Sequence, residues 1–275
     1  MPNAVSSDLE RFEMRPNIAH LSDIIVVAMK ALVVLPTYNE VENLPVVLDK
    51  LLSAAQVDVL IIDDNSTDGT RDIARSAAER SERVHLIERE GKQGLGTAYI
   101  RGFKWGLGRG YDVIMEMDSD LSHNPKDIGR FLREMQGDVG LVIGSRYVGG
   151  IISVVGWDFK RLLLSRFGNF YAAYLLKSPL SDMTSGFRAY SREALILLDL
   201  DRIQAEGYAF QIEMAYYVWR SGLRVLEIPI VFTERLKGVS KMHGRIVSEA
   251  LWLPWRIKAL ELFGLNPGGR GRRKK

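Results

Sequence analysis

The sequence predicts an α/β protein built on a mixed, mostly parallel sheet flanked by helices. Two observations carry this. Short apolar runs alternate with stretches of helical periodicity through the first half of the chain, the strand–helix–strand signature of a parallel sheet with crossover helices. The runs also end in acidic or other polar residues, which places chemistry at the carboxyl edge of that sheet, where open α/β folds bind ligands.

Ala31–Pro36 is a short apolar run and reads as a buried strand. It leads into Thr37-Tyr38-Asn39-Glu40, where Asn39 is placed to cap a helix and Glu42 to complete a capping box. Leu44, Val47, Leu48, Leu51 and Leu52 share one face of that helix. Asp58–Asp64 is a second strand, again ending in acids, and residues 65–70 form a turn and helix entry. A helix to about Arg80 and a third strand, Val84–Glu88, follow. Gly91, Gly94 and Gly96 lie at the mouth of the next helix, which runs to about Leu107; their spacing matches neither the P-loop nor the dinucleotide fingerprint. In Asp112–His123, six mostly apolar residues run straight into Asp118-Ser119-Asp120. Pro125–Gln136 reads as a helix and Val139–Tyr147 as a strand with Arg146 at its exit.

The second half has a different texture. Lys160–Leu176 is long and apolar, with Lys160, Arg161 and Arg166 near its start. Asp182–Arg188 is a polar segment containing Gly186. A helix over about Ala209–Arg220 and a strand over Arg224–Phe232 precede a charged loop, Thr233–Lys241. The last helix, about Arg245–Phe263, contains Pro254, which predicts a kink. Its Trp252, Trp255 and Leu262 alternate with Arg256, Lys258 and Glu261, a pattern of either a packed terminal helix or one lying in a membrane interface.

With 275 residues, 47% hydrophobic and 26% charged, the chain has the composition of an ordinary globular protein with a substantial core. It divides into a poorly ordered extension over 1–28, a main domain over 29–245, and a helix with a basic tail over 246–275. Met29-Lys30-Ala31 offers an alternative start directly before the first strand. The absence of cysteine excludes disulfides and thiolate metal sites, and four scattered histidines give no zinc spacing. The net charge of +3 is concentrated in Arg270, Arg272, Arg273, Lys274 and Lys275. Such a tail either solubilises or binds an anionic surface, a membrane before a nucleic acid. No run reaches the ~18 apolar residues of a membrane span.

Two acids flanking Ser119 at a strand end can hold a hard divalent cation, which takes oxygen ligands. The same residues also suit a capped turn before the helix at Pro125, and the pattern alone does not separate the two.

Seven motifs in order do. They are L-P-T-Y-N-E-x-E-N-L at 35–44, D-D-N-S-T-D-G-T at 63–70, G-L-G-T-A-Y at 94–99, M-D-S-D-L-S-H-x-P at 117–125, G-S-R-Y at 144–147, D-M-T-S-G-F-R-A-Y at 182–190 and F-T-E-R-x-x-G-x-S-K at 232–241. Together, over about residues 31–245, the chain resembles the family 2 glycosyltransferases, and within them the polyprenyl-phosphate (dolichyl-phosphate) mannose synthases. The resemblance implies a GT-A, Rossmann-like fold and transfer of mannose from GDP-mannose to a polyprenyl phosphate with inversion. It implies that Pro36, Tyr38, Glu40 and Asp63 line the nucleotide pocket. Asp118, Ser119 and Asp120 would hold the diphosphate through Mg²⁺ or Mn²⁺, with Ser122 in the place of a further metal ligand. Arg235, Ser240 and Lys241 would meet the donor diphosphate, and Arg146 and Arg161 the lipid phosphate; Arg188 is either structural or near the sugar. A phosphate acceptor is already ionised, so no general base is required.

The acceptor implied is a membrane lipid. The expectation is therefore peripheral attachment at the cytoplasmic face of a membrane through Lys160–Leu176 and the last helix, with room for a separate anchoring subunit and no nucleic acid partner. Three other readings stand beside this one. A polyprenyl-phosphate glucosyltransferase would use UDP-glucose; a processive relative would usually show a Q-x-x-R-W motif, absent here; a silent scaffold would not keep both acids and the cations.

Overall fold

A computed structural model describes residues 29–203, 205–234 and 244–263, with the backbone alone for 244–250. Nine strands follow the chain among the described residues: β1 (Ala31–Thr37), β2 (Asp58–Asp63), β3 (Val84–Glu88), β4 (Val113–Glu116), β5 (Val139–Ser145), β6 (Val154–Val155), β7 (Arg188–Ser191), β8 (Arg224–Pro229) and β9 (Phe232–Thr233). The α-helices are α1 (Leu44–Ala54), α2 (Thr70–Arg80), α3 (Leu95–Gly108), α4 (Ile128–Glu134), α5 (Phe159–Leu176), α6 (Arg192–Leu197), α7 (Gly207–Arg220) and α8 (Gly244–Leu262).

Seven strands form one sheet in the order β3-β2-β1-β4-β7-β5-β8, and β6 pairs with β9 in a small second sheet. Every neighbouring pair in the large sheet is parallel except the two made by β7, which runs antiparallel to both β4 and β5. The mixed, mostly parallel sheet of the sequence reading is therefore present. Its one antiparallel strand escaped that reading because Arg188–Ser191 is four residues long and opens on a buried arginine.

Alternation along β1 sorts the core into two layers. Leu32 and Val34 point into the layer that holds Tyr99 and Phe103 of α3, Phe210 of α7, and Leu253 and Ile257 of α8. Val33 and Leu35 point into the layer that holds Val47 and Leu51 of α1, Ala74 of α2 and Phe131 of α4. The terminal helix is thus packed into the domain along one face. Gly102 lets α3 approach the sheet: a Cβ there falls 2.5 Å from Cγ1 of Val34. Gly102→Ala is expected to cost about 1–3 kcal/mol through overpacking, read as a lower urea midpoint with an unchanged m-value.

The expected capping box is corrected. Asn39 does not cap α1; Asn43 occupies that position, without a side-chain cap bond. Asn39 instead takes a left-handed φ of 55° and accepts the Thr67 N–H on its Oδ1 at 3.0 Å, bridging the loops after β1 and β2.

Candidate active site

Because β1, β2 and β4 are adjacent and parallel, with Thr37 opposite Asp63 and Val34 opposite Glu116, their exits open side by side. Each exit contains one non-glycine residue in the left-handed region: Asn39, Asn65 (φ 64°) and Leu121 (φ 64°). Asparagine tolerates this conformation through its short polar side chain, whereas leucine is held there at a cost. Such strain collects at functional edges, and here it sits one residue beyond Asp120.

The first two exits form one hydrogen-bonded unit. The buried Asp63 carboxylate accepts from Ser66 N (2.9 Å), Ser66 Oγ (2.6 Å) and Thr37 Oγ1 (3.2 Å), and pairs with Arg71 Nε at 3.3 Å. Asp63 therefore shapes the loop around it. The Glu40 N–H donates to Thr70 Oγ1 at 2.8 Å, while its carboxylate accepts from Asn43 Nδ2 at 2.8 Å. Lys92 stands over the Tyr38 ring at 5.1 Å, a cation at this edge that sequence reasoning passed over although it lies among the loop glycines.

At the third exit the Ser119 hydroxyl donates to the Pro36 carbonyl at 2.9 Å, tying the β4 exit to β1. Tyr99, buried on α3, reaches one Asp118 oxygen at 3.4 Å. Gly186 faces the other side of that carboxylate, where an added Cβ would stand 3.6 Å from Oδ2. Asp120 accepts the Ser122 N–H at 3.1 Å, and the buried Ser122 Oγ has no hydrogen-bond partner. The Asp118 N–H donates to Nδ1 of His123 at 3.3 Å. That bond needs an unprotonated nitrogen. Burial against Phe187 and Phe232 supplies it by pushing His123 down to about 4, against the pull of Asp120. Among the described residues no three His, Asp or Glu side chains converge as a complete metal cage.

Arg146, at the exit of β5, is buried and engaged. Its Nε and Nη2 donate to the two Asp182 oxygens at 2.8 and 2.7 Å, and Nη2 also donates to Thr184 Oγ1 at 2.8 Å. Nη1 takes no part in these bonds. Asp182 is fixed in turn: its own N–H and that of Ser181 donate to Glu227 at 2.8 Å each. Thr184 is held by Asn169 of α5, which donates to Thr184 Oγ1 at 3.0 Å and accepts from Thr184 N at 3.2 Å. Arg188 is fully buried and donates to the carbonyls of Ser185 (2.7 Å), Met183 (2.7 Å) and Gln211 (2.6 Å). Of its two expected roles the structural one is seen: Arg188 holds the 183–188 loop. Asn169→Ala is expected to remove about 1–3 kcal/mol by leaving the Thr184 N–H without its acceptor, seen as a lower melting temperature together with slower turnover.

Arg161 lies in the first turn of α5. It pairs with Glu234 and stacks 4.5 Å over Trp157, whose buried Nε1 has no partner. Arg146 and Arg161 thus approach the same indole, since Arg146 lies 5.3 Å from it. The structure brings together Pro36, Tyr38, Glu40, Asp63, Asp118, Ser119, Asp120 and Ser122 along one edge, with Arg146 and Arg161 beside β6 and β9. Arg235, Ser240 and Lys241 lie outside the described residues, as do the extension over 1–28 and the basic tail from 264. Asp182, Asn169 and Tyr99 were missed as supports, since nothing in the local sequence distinguishes a buried partner from an exposed polar residue.

Comparison with known proteins shows the family and the fold. The family model for glycosyl transferase family 2 matches residues 32–198. The chain is 45% identical over 233 residues to the polyprenol monophosphomannose synthase of Mycolicibacterium smegmatis, covering 83% of this chain and 88% of the relative. It is 46% identical over 224 residues to the undecaprenyl-phosphate mannosyltransferase of Micrococcus luteus, covering 81% and 91%. Among solved structures it shares the fold of glucosyl-3-phosphoglycerate synthase from Mycobacterium tuberculosis in complex with Mn²⁺, UDP-glucose and phosphoglyceric acid. That match has a TM-score of 0.64 at 19% identity and covers 85% of this chain and 82% of that one. The chain therefore belongs to glycosyl transferase family 2 and is a glycosyltransferase of the polyprenyl-phosphate mannosyltransferase type.

Proposed function

We propose that the protein transfers mannose from GDP-mannose to a polyprenyl monophosphate with inversion at the anomeric carbon. The observation that carries this reading is the meeting, at one sheet edge, of an acidic cluster and two arginines at a shared indole. The acids suit a bridged diphosphate and the arginines a second phosphate. Pro36, Tyr38 and Glu40 line the nucleotide end, on a loop that Asp63 holds. Asp118 and Asp120 present hard oxygen donors, and the unpartnered Ser122 hydroxyl lies two residues on, a set that fits Mg²⁺ or Mn²⁺. With no complete cage from the protein, the donor's diphosphate and water would fill the remaining positions. When bound, the cation would stabilise the charge that builds on the departing diphosphate.

An acceptor phosphate oxygen forms the new bond to the sugar carbon while the bond to the diphosphate breaks and its electron pair leaves with GDP. An ionised phosphate monoester needs no proton removed, so the acids here have no base role. The task left to the chain is placement. In this reading Arg161 and the Nη1 edge of Arg146 receive the acceptor phosphate, and the bonds that Arg146 donates to Asp182 and Thr184, backed by Asn169, keep it from swinging away. Arg235, Ser240 and Lys241 are assigned to the donor diphosphate. No described helix is long and apolar enough to cross a membrane. The exposed faces of α5 (Phe159, Leu163, Phe167) and α8 (Trp252, Trp255) serve as a peripheral contact with the lipid surface, with or without an anchoring subunit.

The test offers radiolabelled GDP-mannose and UDP-glucose separately, with polyprenyl phosphate and Mg²⁺, and follows label into the organic phase. Label from GDP-mannose is expected; label from UDP-glucose alone would replace the mannosyl reading by a glucosyl one.

A further inference from the structure

The far end of α5 carries a feature with no part in the transfer site. A cavity of about 580 Å³ lies between that end, the turn after it and α8. Phe170, Tyr174 and Leu175 line it with apolar surface, and Lys177, Ser178 and Lys258 supply its polar groups. The two rings stack with centroids 6.0 Å apart and are 69% and 73% exposed. Among the described residues neither lysine side chain has an ion-pair or hydrogen-bond partner.

The backbone here is also uncommon. Lys177 ends α5 with a left-handed φ of 52°, while Ser178 N donates back to the Ala173 carbonyl at 2.9 Å. This is the helix end that glycine makes without strain; a lysine in its place carries a charge to the cavity at a conformational cost. Lys177 lies sixteen residues beyond Arg161, or roughly 24 Å along the helix at 1.5 Å per residue. A phosphate held here is therefore not the one held at Arg161.

We infer that this cleft binds one anionic phospholipid, with the phosphodiester between Lys177 and Lys258 and the start of an acyl chain along Phe170, Tyr174 and Leu175. Charge complementarity selects this occupant: two unpaired ammonium groups beside an apolar wall suit a lipid that is anionic at one end and apolar at the other. A second copy of the same face would set like charges against each other. The inference rests on the membrane-surface part of the proposed function and not on which sugar is transferred. Bound lipid here would lay α5 along the membrane plane, with Arg161 at one end and the cleft at the other.

The test uses the full chain on phosphatidylcholine vesicles with and without phosphatidylglycerol, doped with a photoreactive phosphatidylglycerol. Label is expected on residues 170–178 and on the α8 peptide containing Lys258, competed by unlabelled phosphatidylglycerol but not by inorganic phosphate. Lys177→Gln with Lys258→Gln should remove that label and weaken binding to the anionic vesicles by about thirtyfold, the effect of two surface cations. Transfer to a short, water-soluble acceptor should be unchanged in that variant. Label spread evenly along α5 and α8, or an equal loss from Lys50→Gln with Lys126→Gln on the opposite layer, would overturn the site in favour of general surface charge. Competition by inorganic phosphate would make it a soluble-anion site and overturn the lipid assignment. If sugar transfer itself fails while site-specific label persists, the mannosyl reading falls and the lipid site stands.

Discussion

Asp120→Ala is expected to reduce sugar transfer by at least about a thousandfold while leaving the melting temperature near that of the parent. The rate loss follows from removing charge stabilisation at the bond that breaks, a contribution of order 10²–10³ for one donor group and larger for a metal ligand. The small thermal effect follows from the local bonding. Asp120 accepts the Ser122 N–H and belongs to neither apolar core layer, so its loss opens no cavity among the packed side chains. Initial rates with excess GDP-mannose, beside a thermal melt, decide the matter. Turnover within tenfold of the parent would remove Asp120 from the diphosphate grip.

Asp182→Ala is expected to act in the opposite sense, on stability first. It leaves the Arg146 guanidinium buried without its bidentate partner, a loss of about 3–5 kcal/mol. For a domain of this size that lowers the melting temperature on the order of 10 °C. The pair also has a pH signature. Burial pushes the Asp182 carboxyl up, but the Arg146 charge and hydrogen bonds outweigh it and hold the group below its ordinary 3.8. A depressed carboxylate contributes stability above its unfolded pKa and loses it as pH falls through the folded value. The parent should therefore lose stability faster below pH 3.8 than Asp182→Asn, whose acid limb should be flatter. Arg146→Met with Asp182→Leu should regain much of the stability without regaining turnover, which separates the fold role of the pair from its proposed phosphate role. Urea titrations across acidic pH measure the first point, and recovery of activity in the double variant would deny the second.

Much of this was legible in the sequence because the strands of a parallel sheet are nearly continuous apolar runs and their ends are abrupt. Val33–Leu35, Leu60–Ile62 and Val113–Met115 announced themselves, and with them the exits that carry Tyr38, Asp63 and Asp118. What stayed hidden depended on long-range pairing. Asp182 and Arg146 are thirty-six residues apart, and only β7 entering between β4 and β5 brings the 182–188 segment to the β5 exit. Asn39 followed the local rule for a helix cap, but tertiary demand overrode it, since bridging two loops needed a residue that tolerates a positive φ. The surface role of α5 was ambiguous for a related reason. Its outer Phe159, Leu163 and Phe167 and its inner Asn169 and Ala172 share one helix, so periodicity alone could not say which face was covered.

That helix sets a height. Its outward stripe and the Asn169 contact to Thr184 lie on different faces of one cylinder about 10–12 Å across. On the proposed membrane contact, with the stripe resting on the headgroups, the Arg146 edge would stand above them by part of that width. A lipid phosphate anchored at the ordinary headgroup plane would fall short. On that arrangement the acceptor that fits would be one whose first isoprene units leave the bilayer to follow the helix surface, and the reach of the polyprenyl stem would become a selection rule set by the thickness of a single helix.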